Sequence, residues 1–560
     1  MSRTGQSLES SFLDSIGITL AMFVAVIASG VLVRALPIAI PVPLVQIALG
    51  AVIAGVFNRG VRLEPELFFL LFLPPLLFLD GWRIPKEGLL RDRFTILELA
   101  LGLVIFTVVG VGFLIHWMIP AMPLPVAFAL AAIVSPTDPV AVSAITARVP
   151  IPKRVMHVLE GESLLNDATG LVAFRFAVAA AVTGSFSLTS ATLSFLWVAI
   201  AGLAVGAVFT WVVARGKAWI SKRLGEEPGS EILLSLLIPF GAYALAEHVH
   251  ASGILAAVSA GVTMSLVELS GRSLATTRMQ RTAVWNTVQF TLNGIMFVLL
   301  GEQFPAIFRG AVRVVEETGH DNPWWLLGYA LAINLALALL RFAWVWVSLR
   351  ISQALAARTG REAPKASLRL TLAVSIAGVR GAITLAGVLT LPLVVADGTE
   401  FPARDLAIFL AATVIVVSLV VASVGLPRLL DGLPVPPDNE HYEQEQRANR
   451  AAREAAARAI EKHLHDMVAA DPHGDPKLYT DVASRLMDSM SQQARGGLES
   501  DVPPDVLKRQ LTIEQAMRLV ALNAARSELF RMARRRQISD DVCREAVRRI
   551  DLQEARVGRA

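Results

Sequence analysis

Thirteen apolar stretches, most of them long enough to cross a lipid bilayer, follow one another through residues 12–427. The hydrophobic core of a bilayer takes about 20 apolar residues per helix. Hydrophobic residues make up 54% of the sequence and charged residues only 18%, which excludes an ordinary soluble enzyme and a disordered chain. The sequence therefore predicts an all-α polytopic membrane protein with spans at 12–33, 38–57, 65–81, 95–119, 124–146, 156–183, 187–214, 230–249, 251–268, 284–303, 324–349, 369–395 and 405–427.

Positive charges are distributed unequally between alternate loops of this arrangement. One set of loops carries 20 Lys/Arg and the other carries 6, and the richer set is expected in the cytoplasm. The protein is thus predicted to lie in the cell inner membrane, with its N-terminus outside and its C-terminus in the cytoplasm. Merging the eighth and ninth spans, which only a few residues around His250 separate, gives a twelve-span alternative. The first span lacks a convincing cleavage site and is interpreted as a retained helix.

The chain is predicted to consist of a transmembrane domain at 1–431, a linker at 432–439 and a cytosolic helical domain at 440–560. The last of these is expected to contain helices at 443–467, 503–536 and 538–556. Its 21 Lys/Arg are nearly balanced by 20 Asp/Glu, which argues against nucleic-acid binding. A lone cysteine, Cys543, excludes a disulfide framework within the chain and argues against a zinc site.

The fifth span is interrupted by the polar segment Ser135-Pro136-Thr137-Asp138-Pro139. Proline on both sides of Thr137-Asp138 breaks helical hydrogen bonding and frees backbone carbonyl groups. In a membrane, irregular backbone is tolerated only where protein encloses it or where it lines a cavity. Carbonyl groups, a hydroxyl and a carboxylate together suit a hard cation. The alternative is a simple proline kink in which Asp138 caps the next half-helix.

A second polar segment, Glu160-Gly161-Glu162-Ser163-Leu164-Leu165-Asn166-Asp167, lies in the sixth span. Ser163, Asn166 and Asp167 are spaced i, i+3 and i+4, so they share one helix face. A carboxylate inside a membrane costs about 2.5–3.5 kcal/mol on insertion scales and indicates a functional site. The predicted task of Asp167 is to bind a proton and a cation in turn, which couples the two fluxes because both compete for one group.

Two further charges lie inside apolar spans. Glu162 points away from the Asp167 face, and Arg380 is the lone charge of the twelfth span. We predict that they form a buried ion pair that holds the two interrupted helices together. The alternative is that each faces a water-filled funnel separately. Arg341, in the eleventh span, is interpreted as structural.

Asp80 and Arg175 have two interpretations each. Asp80 either attracts cations into an inner funnel or pairs with Arg83. Arg175, two helical turns beyond Asp167, either tunes that carboxylate or extends outward to the membrane surface. Asn293 in the tenth span is a weaker candidate.

Four segments, taken in order, resemble the monovalent cation:proton antiporter-1 family in its bacterial sodium/proton exchanger form. The resemblance covers roughly residues 15–430. One departure is Asp80, where many family members carry a glutamate. The four segments are Leu73-Pro74-Pro75-Leu76-Leu77-Phe78, Thr137-Asp138-Pro139-Val140-Ala141-Val142, Glu162-Ser163-Leu164-Leu165-Asn166-Asp167 and Gly378-Val379-Arg380-Gly381-Ala382.

The resemblance implies two inverted six-helix repeats with discontinuous crossing helices, a homodimer, and a core that moves like an elevator against a dimerisation domain. It implies that Asp138 and Asp167 bind Na⁺ together with Ser163 and the backbone carbonyl of Thr137, while Asn166 orients the site. The resemblance also implies the structural ion pair between Glu162 and Arg380. An asparagine before Asp167, in place of a second aspartate, is associated with electroneutral exchange.

The expected function is export of Na⁺, with Li⁺ and K⁺ as further candidates, in exchange for incoming H⁺. The expected partners are monovalent cations, protons, the lipid bilayer and a second copy of the chain, and no cofactor is expected. A potassium/proton antiporter is the alternative within this class. A cation channel or a tail-regulated sensor is the alternative outside it. A channel would favour a repeated filter or rings of charge, and neither is found in the sequence.

Overall fold

The computed structural model describes eighteen helices, which leave little other regular structure in the described part of the chain. The prediction of an all-α fold is confirmed. The residues that the structure describes are 2–36, 40–57, 65–84, 93–138, 142, 153–184, 188–269, 274–317, 322, 324–359, 367–395, 398–431, 439–470, 476–491 and 504–557.

The first fourteen helices carry the apolar spans, and four more follow them. The helices are α1 Ser2–Ala35, α2 Val42–Phe57, α3 Pro65–Arg83, α4 (Arg93–Leu97, a π-helical segment Glu98–Leu103, and Val104–Met118), α5 Leu124–Val134, α6 Lys153–Thr183, α7 Leu188–Leu224, α8 Pro228–His248, α9 Gly253–Glu268, α10 Ala275–Glu317, α11 Trp324–Thr359, α12 Leu368–Ile376, α13 Ala382–Leu389, α14 Arg404–Leu430, α15 Asn439–Ala470, α16 Pro476–Ser491, α17 Pro504–Arg534 and α18 Asp540–Val557.

Length and composition make eight of the described helices able to cross a membrane, and three shorter helices are also apolar. The chain is therefore a multi-pass membrane protein. The eighth and ninth predicted spans are separate helices, α8 and α9, contrary to the twelve-span alternative. Between them His250 adopts a left-handed conformation with φ 54°, and the Ser252 hydroxyl caps α9 by accepting a hydrogen bond from the Leu255 amide at 3.2 Å.

Helices α1–α3 and α7–α10 pack together and are called the first helix group. Small residues allow backbones to approach closely within it. A Cβ added to Gly50 of α2 would overlap the carbonyl of Val298 in α10, and one added to Gly81 of α3 would overlap that of Val258 in α9. These helices are therefore fitted to one another at backbone distance, which favours a rigid unit.

Helices α4–α6 and α11–α14 form the second helix group, which contains two interruptions. Helix α5 ends at Val134, and the helical path of the twelfth predicted span is broken between Ile376 and Ala382. The two breaks meet, because the amide of Asp138 donates a hydrogen bond to the carbonyl of Val379 at 2.7 Å. Each break thus satisfies a backbone group that the other leaves free. Pro139 lies outside the described residues.

Helices α15–α18 pack around a hydrophobic core of their own, which includes Ile460, Leu486, Met517 and Val542. Three of the four correspond to helices predicted from the sequence, whereas α16 was not predicted. The predicted linker lies almost entirely outside the described residues.

Candidate functional site

A small cavity lies between the two helix groups, beside the middle of α6. Its volume of about 30 Å³ gives room for about two water-sized particles. The second group contributes Thr137, Asp138, Ser163, Asp167, Gly381 and Thr384 to its lining, and the first group contributes Leu76, Asp80, Gln289 and Asn293. A shift of one group against the other would therefore change the surroundings of the cavity.

Four of the five residues predicted to bind cations and protons meet in this cavity. Thr137, Ser163 and Asp167 are buried, and Asp138 is half-buried. Asp138 follows the interrupted end of α5, whereas Asp167 lies inside α6, so the fold brings the two carboxylates together from separate elements. Two neighbouring carboxylates with little access to water are costly to leave ionised without a proton or a cation beside them.

The fifth residue, Asn166, holds Thr137 in place. Its Nδ2 donates a hydrogen bond to the Thr137 hydroxyl at 3.1 Å, and that hydroxyl donates to Oε1 of Glu162 at 3.3 Å. Because the hydroxyl proton is used by Glu162, the amide of Asn166 must present its nitrogen to Thr137. Asn166 Oδ1 is buried and has no hydrogen-bond partner in the described part of the chain.

The buried ion pair joins Glu162 to Arg341, and the prediction that Arg380 is the partner is wrong. Arg341 Nη1 and Nη2 donate to the two carboxylate oxygens of Glu162 at 2.5 and 2.7 Å. The Glu162 side chain is 1% exposed and the Arg341 side chain is 3% exposed. This bidentate pair links α6 to α11, and Arg341 Nε also donates to the carbonyl of Val374 in α12.

Arg380 instead serves the two helix breaks. Its Nε donates to the carbonyl of Val134 at 2.9 Å, and its Nη1 donates to the carbonyl of Gly378. These carbonyls lie where α5 and α12 end and therefore lack helical partners. A guanidinium in one break can satisfy both, which explains why Arg380 does not turn towards Glu162.

Asp80 lines the cavity at the end of α3, and its role as a funnel residue stays a prediction. The Arg83 guanidinium contacts α10. It donates hydrogen bonds to Gln289 Oε1 and Asn286 Oδ1, each at 2.6 Å. Arg175 pairs with Glu247 of α8 at 3.1 Å. That contact joins α6 of the second helix group to α8 of the first, and the two interpretations given to Arg175 stay predictions.

Gly381 allows Asp138 to reach the beginning of α13. A Cβ at this position would overlap the Asp138 carboxylate, and Gly381 is the residue that precedes the first turn of α13. The amide groups at the start of a helix favour a nearby negative charge. The alternative in which Asp138 caps the next half-helix of its own span concerns residues that follow Pro139, almost all of which lie outside the described residues.

The sequence did not predict that Arg341 pairs with Glu162 or that Gln289 lines the cavity. Arg341 carries the same signal as Arg380, a single charge inside an apolar span, and this signal could have nominated it. Gln289 is an uncharged residue in a helix with other polar positions, so no pattern distinguishes it.

The fold and this cavity, which lies between two groups of membrane helices, are typical of a multi-pass membrane transporter. Residues 20–432 match the family model described as sodium/hydrogen exchanger, transmembrane, and the chain belongs to this family of cation/proton antiporters. The resemblance proposed from the four sequence segments is confirmed.

Several known proteins are similar in sequence to this chain over most of its length. The chain is 42% identical over 540 residues to the uncharacterized Na⁺/H⁺ exchanger YjcE of Escherichia coli K12, covering 96% of this chain and 97% of that protein. It is 44% identical over 427 residues to the sodium, potassium, lithium and rubidium/H⁺ antiporter of Bacillus subtilis 168, covering 75% of this chain and 62% of the relative. A related Bacillus pumilus antiporter of the same name is 45% identical over 414 residues, and only 60% of its length is matched.

Solved structures agree with the fold. The sodium proton antiporter MjNhaP1 of Methanocaldococcus jannaschii superimposes with a TM-score of 0.57 at 17% sequence identity, covering 75% of this chain and 99% of that structure. At this identity the likeness supports an NhaP-like fold and nothing finer.

Proposed function

We propose that the chain exchanges cytoplasmic Na⁺ for external H⁺ at Asp138 and Asp167. The observation that carries the proposal is that these carboxylates belong to separate elements and line one small cavity between two helix groups. Oxygen ligands of this kind suit a hard cation. The Thr137 carbonyl and the Ser163 hydroxyl complete the set of ligands, and the cavity has room for an ion that has lost most of its water.

Protons and cations compete for the same oxygens in this mechanism. Protonation of Asp167 removes the charge that attracts the cation, and a bound cation disfavours the proton. Each ion therefore crosses only in exchange for the other. Asn166 contributes no titratable group, which supports an electroneutral exchange.

Alternating access follows from the division into two helix groups. The first group is proposed as the dimerisation domain and the second as the moving core, because both helix breaks belong to the second group. We further propose thirteen spans in two inverted repeats, a homodimer in the inner membrane, an external N-terminus and a cytosolic domain at 440–560. The assignment of α4–α6 and α11–α14 to one group supports the repeats, since each half contributes one interrupted helix.

Potassium/proton exchange is the second candidate. Two relatives above 40% identity are named as sodium, potassium, lithium and rubidium/H⁺ antiporters. Na⁺ and K⁺ accept the same oxygen ligands, so the size of the occupied cavity decides between them.

Reconstitution into liposomes that contain a pH-sensitive dye tests both candidates. We expect added Na⁺ to drive proton movement, with Li⁺ and K⁺ added separately to rank selectivity. Proton movement with K⁺ alone would replace the sodium assignment by the potassium one. An ion current that needs no counter-ion would replace antiport by a channel.

Substitution of Gly381 by alanine tests the meeting of Asp138 with α13. The added Cβ would displace the carboxylate, and a misplacement of about 1 Å can lower a rate by roughly a hundredfold. We expect Gly381→Ala to lose exchange at that scale in the liposome assay. Gly328→Ala is the matched control, because no atom lies within 4 Å of a Cβ there. Equal rates in both variants would contradict the close contact at Gly381.

A further inference from the structure

The last two helices, α17 and α18, contact the membrane helices at the end where α3 and α9 finish and α6 and α10 begin. This is the end predicted to be cytoplasmic. These contacts join residues far apart in sequence and involve both helix groups. The first group makes the larger number of described contacts.

The first helix group holds α18 through a buried anchor. Arg278 of α10 donates to both carboxylate oxygens of Asp551, with its Nε 3.0 Å from Oδ2. The Arg278 and Asp551 side chains are 8% and 4% exposed, and Arg526 of α17 lies 3.3 Å from the same carboxylate. A buried, bidentate ion pair with a second arginine beside it is costly to separate.

Two more arginines bind the ends of helices in the first group. Arg544 of α18 donates to the carbonyl of Arg83 at 2.6 Å, and Arg534 of α17 donates to the carbonyl of Leu269 at 2.6 Å. The last carbonyl groups of a helix have no helical partner and favour positive charge. These contacts fix α17 and α18 to α3 and α9.

In the described part of the chain, a partly exposed ion pair connects α18 to the second helix group. His157 Nε2 of α6 lies 3.1 Å from Oδ2 of Asp541, and the side chains are 29% and 36% exposed. Arg544 also donates to Asp541, so Arg544 and Asp541 connect the end of α3 to the beginning of α6. Burial opposes ionisation of Asp541, but the hydrogen bonds from His157 and Arg544 outweigh it and hold its pKa well below the usual range.

We propose that α18 is a latch that ties α6 to α3 and restrains the second helix group in the arrangement seen here. The inference rests on the proposed alternating-access function. The Asp541–His157 contact must separate when α6 shifts against α3, whereas the Arg278–Asp551 anchor stays intact. The partly exposed pair is the weaker of the two, so it is the contact that opens.

Asp541→Asn tests the latch in the full-length protein reconstituted into liposomes. The variant keeps the size of the side chain and removes the charge that faces His157. We expect cation-driven proton exchange to become roughly threefold faster, the scale that a partly exposed ion pair permits. Glu545→Gln is the matched control, because Glu545 lies on the same helix and pairs with Arg549 inside the C-terminal helices. Its exchange rate is expected to equal that of the wild type.

Cross-linking tests the same contact from the opposite direction. In a Cys543→Ala background, His157→Cys with Asp541→Cys is treated with a short, reducible cross-linker of two thiols. Exchange is expected to stop and to return on reduction. The control pair, Leu269→Cys with Arg534→Cys, joins α17 to the first group only and is expected to continue working when linked.

The outcomes separate failure of the latch from failure of the proposed function. A wild-type protein that exchanges no cation for protons would overturn the proposed function. A wild-type protein that exchanges normally, with Asp541→Asn no faster and the linked 157–541 pair still active, would overturn the latch alone.

Discussion

Arg341→Met is expected to lower the free energy of unfolding by about 3–5 kcal/mol, because it leaves the carboxylate of Glu162 buried without a counter-charge. Methionine keeps much of the volume of the arginine side chain, so the loss of stability reflects the removed charge and not a new cavity. The change also frees the carbonyl of Val374, to which Arg341 Nε donates. Thermal unfolding of the purified protein in detergent measures the effect.

A double-mutant cycle identifies the partner of Glu162. Glu162→Gln combined with Arg341→Met is expected to be more stable than Arg341→Met alone, since the uncompensated charge has been removed. The same cycle with Arg380→Met is expected to show little coupling, because Arg380 binds backbone carbonyls. Strong coupling of Glu162 to Arg380 and none to Arg341 would show that the pairing described here is incorrect.

Asp167→Asn is expected to reduce cation/proton exchange to the leak of empty liposomes while the protein remains folded. The amide cannot take up a proton, and it offers a cation no negative charge. Proton binding and cation binding at this position are therefore both lost. Among the described residues no arginine pairs with Asp167, so removal of its buried charge is not expected to lower the stability. Dye-loaded liposomes give the rate, and thermal unfolding verifies the fold.

Asp431→Asn is the control for this experiment, because it makes the same chemical change at an exposed position beyond the end of α14. Its exchange rate is expected to match the wild type. Undiminished exchange by Asp167→Asn would remove Asp167 from the mechanism.

The helices and the main site residues could be predicted from the sequence for physical reasons. A bilayer demands long apolar helices, so hydropathy locates them, and a carboxylate such as Asp167 is conspicuous inside an apolar run. Proline on both sides of Thr137-Asp138 likewise indicates an interrupted helix. These signals depend on position along the chain alone.

Contacts between helices carry no such signal. Arg341 and Arg380 look alike in sequence, and only the packing of α11 against α6 directs the first to Glu162. Arg380 lies in a helix break, where nearby carbonyl groups compete for its guanidinium. The anchor between Arg278 and Asp551 was equally hidden, because a charge near the end of a membrane helix is normally solvated.

Proton release on cation binding shows whether Na⁺ and H⁺ compete for the same carboxylates. Purified protein in weakly buffered detergent solution, with a pH indicator, is titrated with NaCl, and choline chloride serves as the control salt. Competition for Asp138 and Asp167 predicts the release of about one proton for each Na⁺ bound, and no release from Asp167→Asn. Saturable Na⁺ binding by the wild type without proton release would show that the two ions do not share these carboxylates.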